Sequence, residues 1–93
     1  MSEVKAVHAL VNGRVQGVTY RQATRSTARG LGLVGWVRNL PDGRVKVWAQ
    51  GDDESVGRLV DWLWAGPPGA SVTGVESDAV AIDQTLNDFF VRQ

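Results

Sequence analysis

The sequence predicts an α+β sandwich of βαββαβ order, an antiparallel sheet with two helices packed on one of its faces. Three observations carry that expectation. β-Branched segments that alternate with period two are interrupted twice by stretches with helical spacing. A Pro-Asp-Gly turn joins the middle pair of strands into a hairpin. A chain of 93 residues, 43% hydrophobic and 22% charged, suits one soluble domain with one core and leaves little room for a second. Residues 1–93 are therefore read as a single domain.

The elements follow in order. From Lys5 to Val11 the chain alternates, with Val7, Ala9 and Val11 on one face and Ala6, His8 and Leu10 on the other, a strand covered on both sides. Tyr20 to Leu31 has helical spacing, with Tyr20, Ala23, Thr27 and Leu31 on one stripe, and Gly30 and Gly32 supply a stop. Val34 to Leu40 reads as the second strand. Arg44 to Gln50 reads as the third, with Val45, Val47 and Ala49 inward and Arg44, Lys46, Trp48 and Gln50 outward. Asp52 or Asp53 can cap a second helix, in which Val56, Leu59, Val60 and Leu63 share one face. Gly66-Pro67-Pro68-Gly69 ends that helix, Ser71 to Ala81 is the fourth strand with a bulge expected at Gly74, and Asp88 to Arg92 closes the sheet. This is the split-βαβ, or ferredoxin-like, order, which hosts many unrelated activities and so does not name one.

Composition bounds the chemistry. With no cysteine and one histidine, disulfides, thiolate chemistry and a multi-histidine metal site are excluded, and no cofactor is expected. No apolar run is long enough to span a bilayer, and the first residues lack a signal-peptide pattern, so a cytoplasmic protein without a membrane partner is expected. Net charge is zero but unevenly spread. Residues 1–47 hold eight cations against two acids, and residues 48–93 hold two against eight. This fits an anionic ligand for the first half, and equally fits charged faces that meet on folding.

The segment Gly13-Arg14-Val15-Gln16-Gly17-Val18-Thr19-Tyr20-Arg21 is where an anion would bind. A glycine-framed turn can aim successive backbone N–H groups into one concavity. The helix that follows adds unpaired donors and the positive end of its dipole. Arg21 adds a permanently charged fork that matches phosphate oxygens. The segment is not a Walker loop, because Val18-Thr19 stand where that motif needs Lys-Ser/Thr.

A second motif is Gly35-Trp36-Val37-Arg38-Asn39-Leu40-Pro41-Asp42-Gly43-Arg44-Val45, followed by Gly51. Together the two resemble the acylphosphatase family. Its first signature reads Gly-x-Val-Gln-Gly-Val-x-Phe-Arg; its second reads Gly-aromatic-small-x-Asn-x-x-x-Gly-x-Val, with a further glycine six residues on. Both are matched at the expected separation, and the predicted elements fit over the full chain. The departure is Tyr20, where phenylalanine is commoner; it keeps the ring and adds a hydroxyl that needs a partner.

The resemblance implies an enzyme that hydrolyses small acyl phosphates to a carboxylate and phosphate without a metal. It implies that Arg21 binds the phosphoryl group, that Asn39 positions the attacking water, and that the amides of Val15, Gln16, Gly17 and Val18 hold the phosphoryl oxygens. A catalytically silent anion-binding or regulatory module is the alternative. His8 is read as structural, Asp52-Asp53-Glu54 as dipole complement rather than metal site, and Trp36 as either flanking the site or packing on the sheet. Arg14 and Arg38 lie close to the cradle in sequence and can add positive potential. RNA binding would need exposed aromatics on the central strands, and only Trp48 comes near. No nucleic-acid partner is expected, and a monomer is the simplest state.

Overall fold

The computed structural model describes residues 3–93. Its elements are β1 (Val4–Arg14), α1 (Tyr20–Gly30), β2 (Val34–Asn39), β3 (Val45–Asp52), α2 (Asp53–Ala65), β4 (Ser71–Val80) and β5 (Phe89–Arg92). They form one five-stranded sheet in the order β4-β1-β3-β2-β5. Each neighbouring pair among β4, β1, β3 and β2 is antiparallel, as expected. The fifth, β5, runs parallel to β2 along the edge, so the sheet is mixed. The parallel pairing follows from the long connection after β4, which carries the chain across to the far edge before it turns back in. Neither helix is long and apolar enough to cross a membrane.

Strand alternation sorts the sheet into two faces. Val11, Val45, Val47, Ala49, Val37 and Phe89 face the helices and are buried. Both helices pack on this face, α1 over β2 and β5 and α2 over β1, β3 and β4. The opposite face carries Asp78, His8, Trp48, Trp36 and Phe90 in one cross-strand row and Glu76, Leu10, Lys46, Arg38 and Arg92 in the next. This places Trp36 on sheet packing rather than beside the cradle, and Arg38 with it.

α1 buries Tyr20, Thr24 and Ala28 rather than the Tyr20, Ala23, Thr27 stripe read from the sequence. The strict i, i+4 row wins because Thr24 satisfies its hydroxyl locally, donating to the Tyr20 carbonyl at 2.8 Å. Ala28, without bulk, lets the helix lie close to the sheet. In α2 the expected face is buried through Val56, Leu59 and Leu63. The bulge lies where Gly74 suggested, because the β1–β4 register shifts between Asn12 and Gly13 and passes from Gly74 to Val72.

Tyr20 joins the two helices. Its hydroxyl donates to the Leu63 carbonyl at 2.6 Å, and its ring packs against Trp62 at 5.8 Å. Leu63 sits in the last turn of α2, where its helical partner would be the N–H of residue 67. That residue is proline, which has none. The extra hydroxyl of Tyr20 supplies the missing donor, and burial pushes its ionisation well above the usual tyrosine range.

Candidate active site at the start of the first helix

The site forms between the β1–α1 loop and the end of β2. Gly13 belongs to the sheet rather than to the loop. It is still in β1 with φ +125°, and a Cβ there would run into the Ser71 carbonyl of β4. Gly17, with φ +76°, is the glycine the loop itself needs, since it turns the chain into the left-handed region. Thr19 follows at φ 60° and ψ 20°, a conformation that a β-branched residue rarely takes. Its hydroxyl donates to the Val18 carbonyl at 2.6 Å and caps nothing. The first turn of α1 therefore has no side-chain cap and no acidic residue. Ala23 is the first residue whose N–H is taken up by the helix, bonding to the Thr19 carbonyl. The N–H groups of Tyr20, Arg21 and Gln22 precede it, together with the positive end of the dipole.

A cleft of about 110 Å³ opens at this point, lined by Val15, Gly17, Thr19, Tyr20, Arg21, Gln22 and Asn39. Four of the six residues named from the sequence line it: Val15, Gly17, Arg21 and Asn39. Gln16 and Val18 complete the loop without lining the cleft. Arg21 makes no ion pair and no side-chain hydrogen bond among the described residues, so all its donors remain free for a ligand. Asn39 comes from the opposite wall, on the helix-facing side of β2 at its last residue. Its Oδ1 is buried and has no hydrogen-bond partner. A buried acceptor of that kind costs about 1–3 kcal/mol unless something donates to it.

Gln16 holds the two walls in register. Its side-chain amide donates to the carbonyls of Leu40 and Arg44, each at 2.9 Å, which ties the loop to the hairpin carrying Asn39. Within that hairpin the Leu40 N–H donates to the Arg44 carbonyl, and the Asp42 carboxylate accepts from the Arg44 backbone and side chain. The Arg44 guanidinium and these hydrogen bonds hold the Asp42 carboxyl below the usual carboxylate range.

Sequence reasoning missed Thr19 and Gln22 as lining residues and did not foresee the role of the Gln16 side chain. Thr19 carried a signal, since an N-cap position followed by no acid in the first turn leaves the helix end open to an anion. Gln16 carried none, because its partners are backbone carbonyls about 24 and 28 residues away. Arg14 is exposed at the end of β1 and Arg38 faces away on the open side of the sheet, so neither lines the cleft. Among the described residues no group of three or more His, Asp or Glu gathers as a metal cluster would.

Comparison with known proteins points to one family. The acylphosphatase family model matches residues 7–91. An acylphosphatase of Methylococcus capsulatus is 52% identical over 88 residues, covering 95% of this chain and 96% of the relative. One of Pseudomonas paraeruginosa is 53% identical over 87 residues, covering 94% of each. The solved structure of an acylphosphatase from Coxiella burnetii superposes with a TM-score of 0.92 at 40% identity, over 96% of this chain and 93% of that one. With the match running through the loop, the hairpin and every strand between them, the chain belongs to the acylphosphatase family.

Proposed function

We propose that this chain hydrolyses the carboxyl–phosphate anhydride of small acyl phosphates, releasing a carboxylate and inorganic phosphate. The observation that carries the reading is a pairing within one cleft: the unengaged Arg21 guanidinium on one wall and the unpartnered, buried Asn39 Oδ1 on the other.

The loop amides of Val15, Gln16, Gly17 and Val18, the first-turn amides of α1 and Arg21 hold the phosphoryl oxygens and stabilise the charge that builds on them in the transition state. Asn39 accepts a hydrogen bond from a water and orients its oxygen toward phosphorus, in line with the leaving oxygen. The new bond joins the water oxygen to phosphorus. The bond broken joins phosphorus to the acyl oxygen, whose electron pair leaves as carboxylate. A carboxylate is a good leaving group, so no general acid is required, and the proton of the water passes to a phosphoryl oxygen of the substrate.

Asn39 favours turnover over simple binding. A site built only to hold an anion gains from Arg21 and the amides, whereas a buried acceptor oxygen facing it repels the ligand. The same oxygen is useful once a water must be held there. The cleft is far smaller than the roughly 300–1,000 Å³ of pockets that enclose a drug-sized ligand. It suits a phosphoryl group and a water, leaving the acyl portion outside. We read the chain as a monomer that works in the cytoplasm without a metal, since every group in this mechanism comes from one chain.

The test is ultraviolet detection of benzoyl phosphate hydrolysis in the presence of a chelator. Turnover that persists with the chelator, and that inorganic phosphate inhibits competitively, supports the reading. An inactive protein that still binds phosphate would overturn it in favour of the anion-binding module.

A further inference from the structure

The face of the sheet opposite the helices carries a second assembly that the cleft does not use. Trp36 of β2 and Trp48 of β3 sit directly across from each other, stacked at 6.3 Å and 23°. Phe90 of β5 continues the row on one side and is 36% exposed, while His8 of β1 continues it on the other and Asp78 of the edge strand β4 ends it. One row along, Lys46, Arg38 and Arg92 occupy neighbouring strands β3, β2 and β5, and the row continues past Leu10 of β1 to the exposed Glu76 of the edge strand β4, where the cationic stretch ends. None of the three forms an ion pair among the described residues, although Lys5, Arg29, Arg44 and Arg58 all do. Two of these cations lie over aromatic rings instead. Lys46 is 5.9 Å from the Trp36 ring centre, and Arg92 is 5.1 Å from that ring and 5.8 Å from Phe90.

Two further details set this face apart from an ordinary solvated one. Of three buried side-chain polar atoms without a partner among the described residues, one is Asn39 Oδ1 in the cleft, and the other two, His8 Nε2 and Arg38 Nε, are both here. Gln50, in the row on the far side, is by contrast fully paired with the backbone of Asp83 in the β4–β5 connection, which crosses the sheet there. In the aromatic and cationic rows Phe90 and Arg92 are exposed, and Trp36, Trp48, Lys46 and Arg38 are half-buried.

We infer that this face binds single-stranded nucleic acid. Strands lie about 4.8 Å apart and successive same-face residues about 6.8 Å apart. The result is a platform of π surfaces with a parallel line of unpaired cations offset from it, much as phosphates are offset from their bases along a single strand. Aromatic rings and arginine planes stack bases of any identity, and cations alongside take the phosphates. A duplex hides its base faces and offers no such match, and an anionic membrane would use the cations but not the stacked rings. From the sequence Trp48 alone comes near such a pattern, because Trp36 and Phe90 reach the same row only through the β2–β3 and β2–β5 pairings.

Fluorescence anisotropy of a labelled oligothymidylate of about ten nucleotides, with the full chain at low salt, tests this. Binding is expected, and Phe90→Ala should weaken it by about fivefold or more, the loss that removing one stacking ring brings. The same variant should hydrolyse benzoyl phosphate at the unaltered rate. Replacing Arg38, Lys46 and Arg92 by glutamine should reduce the slope of log affinity against log salt by about 2, at roughly 0.7 per phosphate contact on a single strand. Absence of binding at low salt would overturn the proposal, as would affinity that neither variant changes. So would displacement by inorganic phosphate, which would place the oligonucleotide in the cleft. Equal or tighter binding to a duplex or to phosphatidylserine vesicles would overturn it too.

Discussion

At its N-terminus α2 is closed by its own sequence, whereas α1 is left open. Asp52 accepts from the Ser55 N–H at 3.3 Å, and Asp53 and Glu54 follow in the first turn to complement the dipole. α1 begins instead from Thr19 in a left-handed conformation, with its hydroxyl turned to the Val18 carbonyl and no acid in the turn. Both helices lie on the same face of the same sheet, so the difference is not one of environment. One helix end spends its donors on stability, and the other holds them for a ligand, with Arg21 as the second residue of the helix. A strained, uncapped start is unfavourable in isolation, and it makes sense where an anion completes it.

The comparison can be broken most severely at Arg21. Arg21→Ala should lower kcat/KM for benzoyl phosphate by about a thousandfold or more, and inorganic phosphate should cease to inhibit, because the one charged donor of the cleft is gone. Making α1 resemble α2 comes next. Thr19→Asp places a carboxylate at the helix start, which should raise KM about tenfold or more by repelling the phosphoryl group, with the thermal midpoint held or raised. Steady-state kinetics and a circular-dichroism melt on one preparation separate the two effects.

Changes at the closed end should do the reverse. Asp52→Ala removes a cap worth about 1 kcal/mol, which should lower the melting midpoint by roughly 4–8 °C while KM is unchanged. Tyr20→Phe restores the commoner family residue but leaves the Leu63 carbonyl without a donor. It should cost about 1 kcal/mol on the same melt, again with KM unaltered. The smallest effect lies far from either helix end. Burial first, and then the charge of Lys46, lower the pKa of His8 from 6.5, with Asp78 opposing them. The unfolded chain therefore takes up a proton that the folded one resists. Stability should fall as pH drops below about 6.5, and His8→Gln should flatten that part of the profile.

The element order, the hairpin, an aspartate cap at position 52 or 53 and the bulge beside Gly74 could be read from the chain because each has a local cause: period, turn chemistry or a short polar side chain. Arg21 and Asn39 were legible as family motif positions, and the fold brings them to one cleft. What the sequence could not supply were relations set by distant partners. Gln16 acts through carbonyls of the β2–β3 hairpin. Tyr20 answers a proline in the turn that follows α2. β5 turns parallel because of where its connection crosses. Trp36, Trp48 and Phe90 meet only through strand register. Thr24, polar but buried, was passed over because its hydroxyl is satisfied one turn back within α1.

The central claim is that Arg21 and the loop hold the phosphoryl group while Asn39 places the water, and Asn39→Ala separates the two tasks. Benzoyl phosphate turnover by this variant, with inorganic phosphate titrated as inhibitor, should show kcat lowered by at least about a hundredfold and a phosphate inhibition constant close to that of the parent. A variant that keeps its turnover, or one that loses phosphate binding together with turnover, would contradict the account.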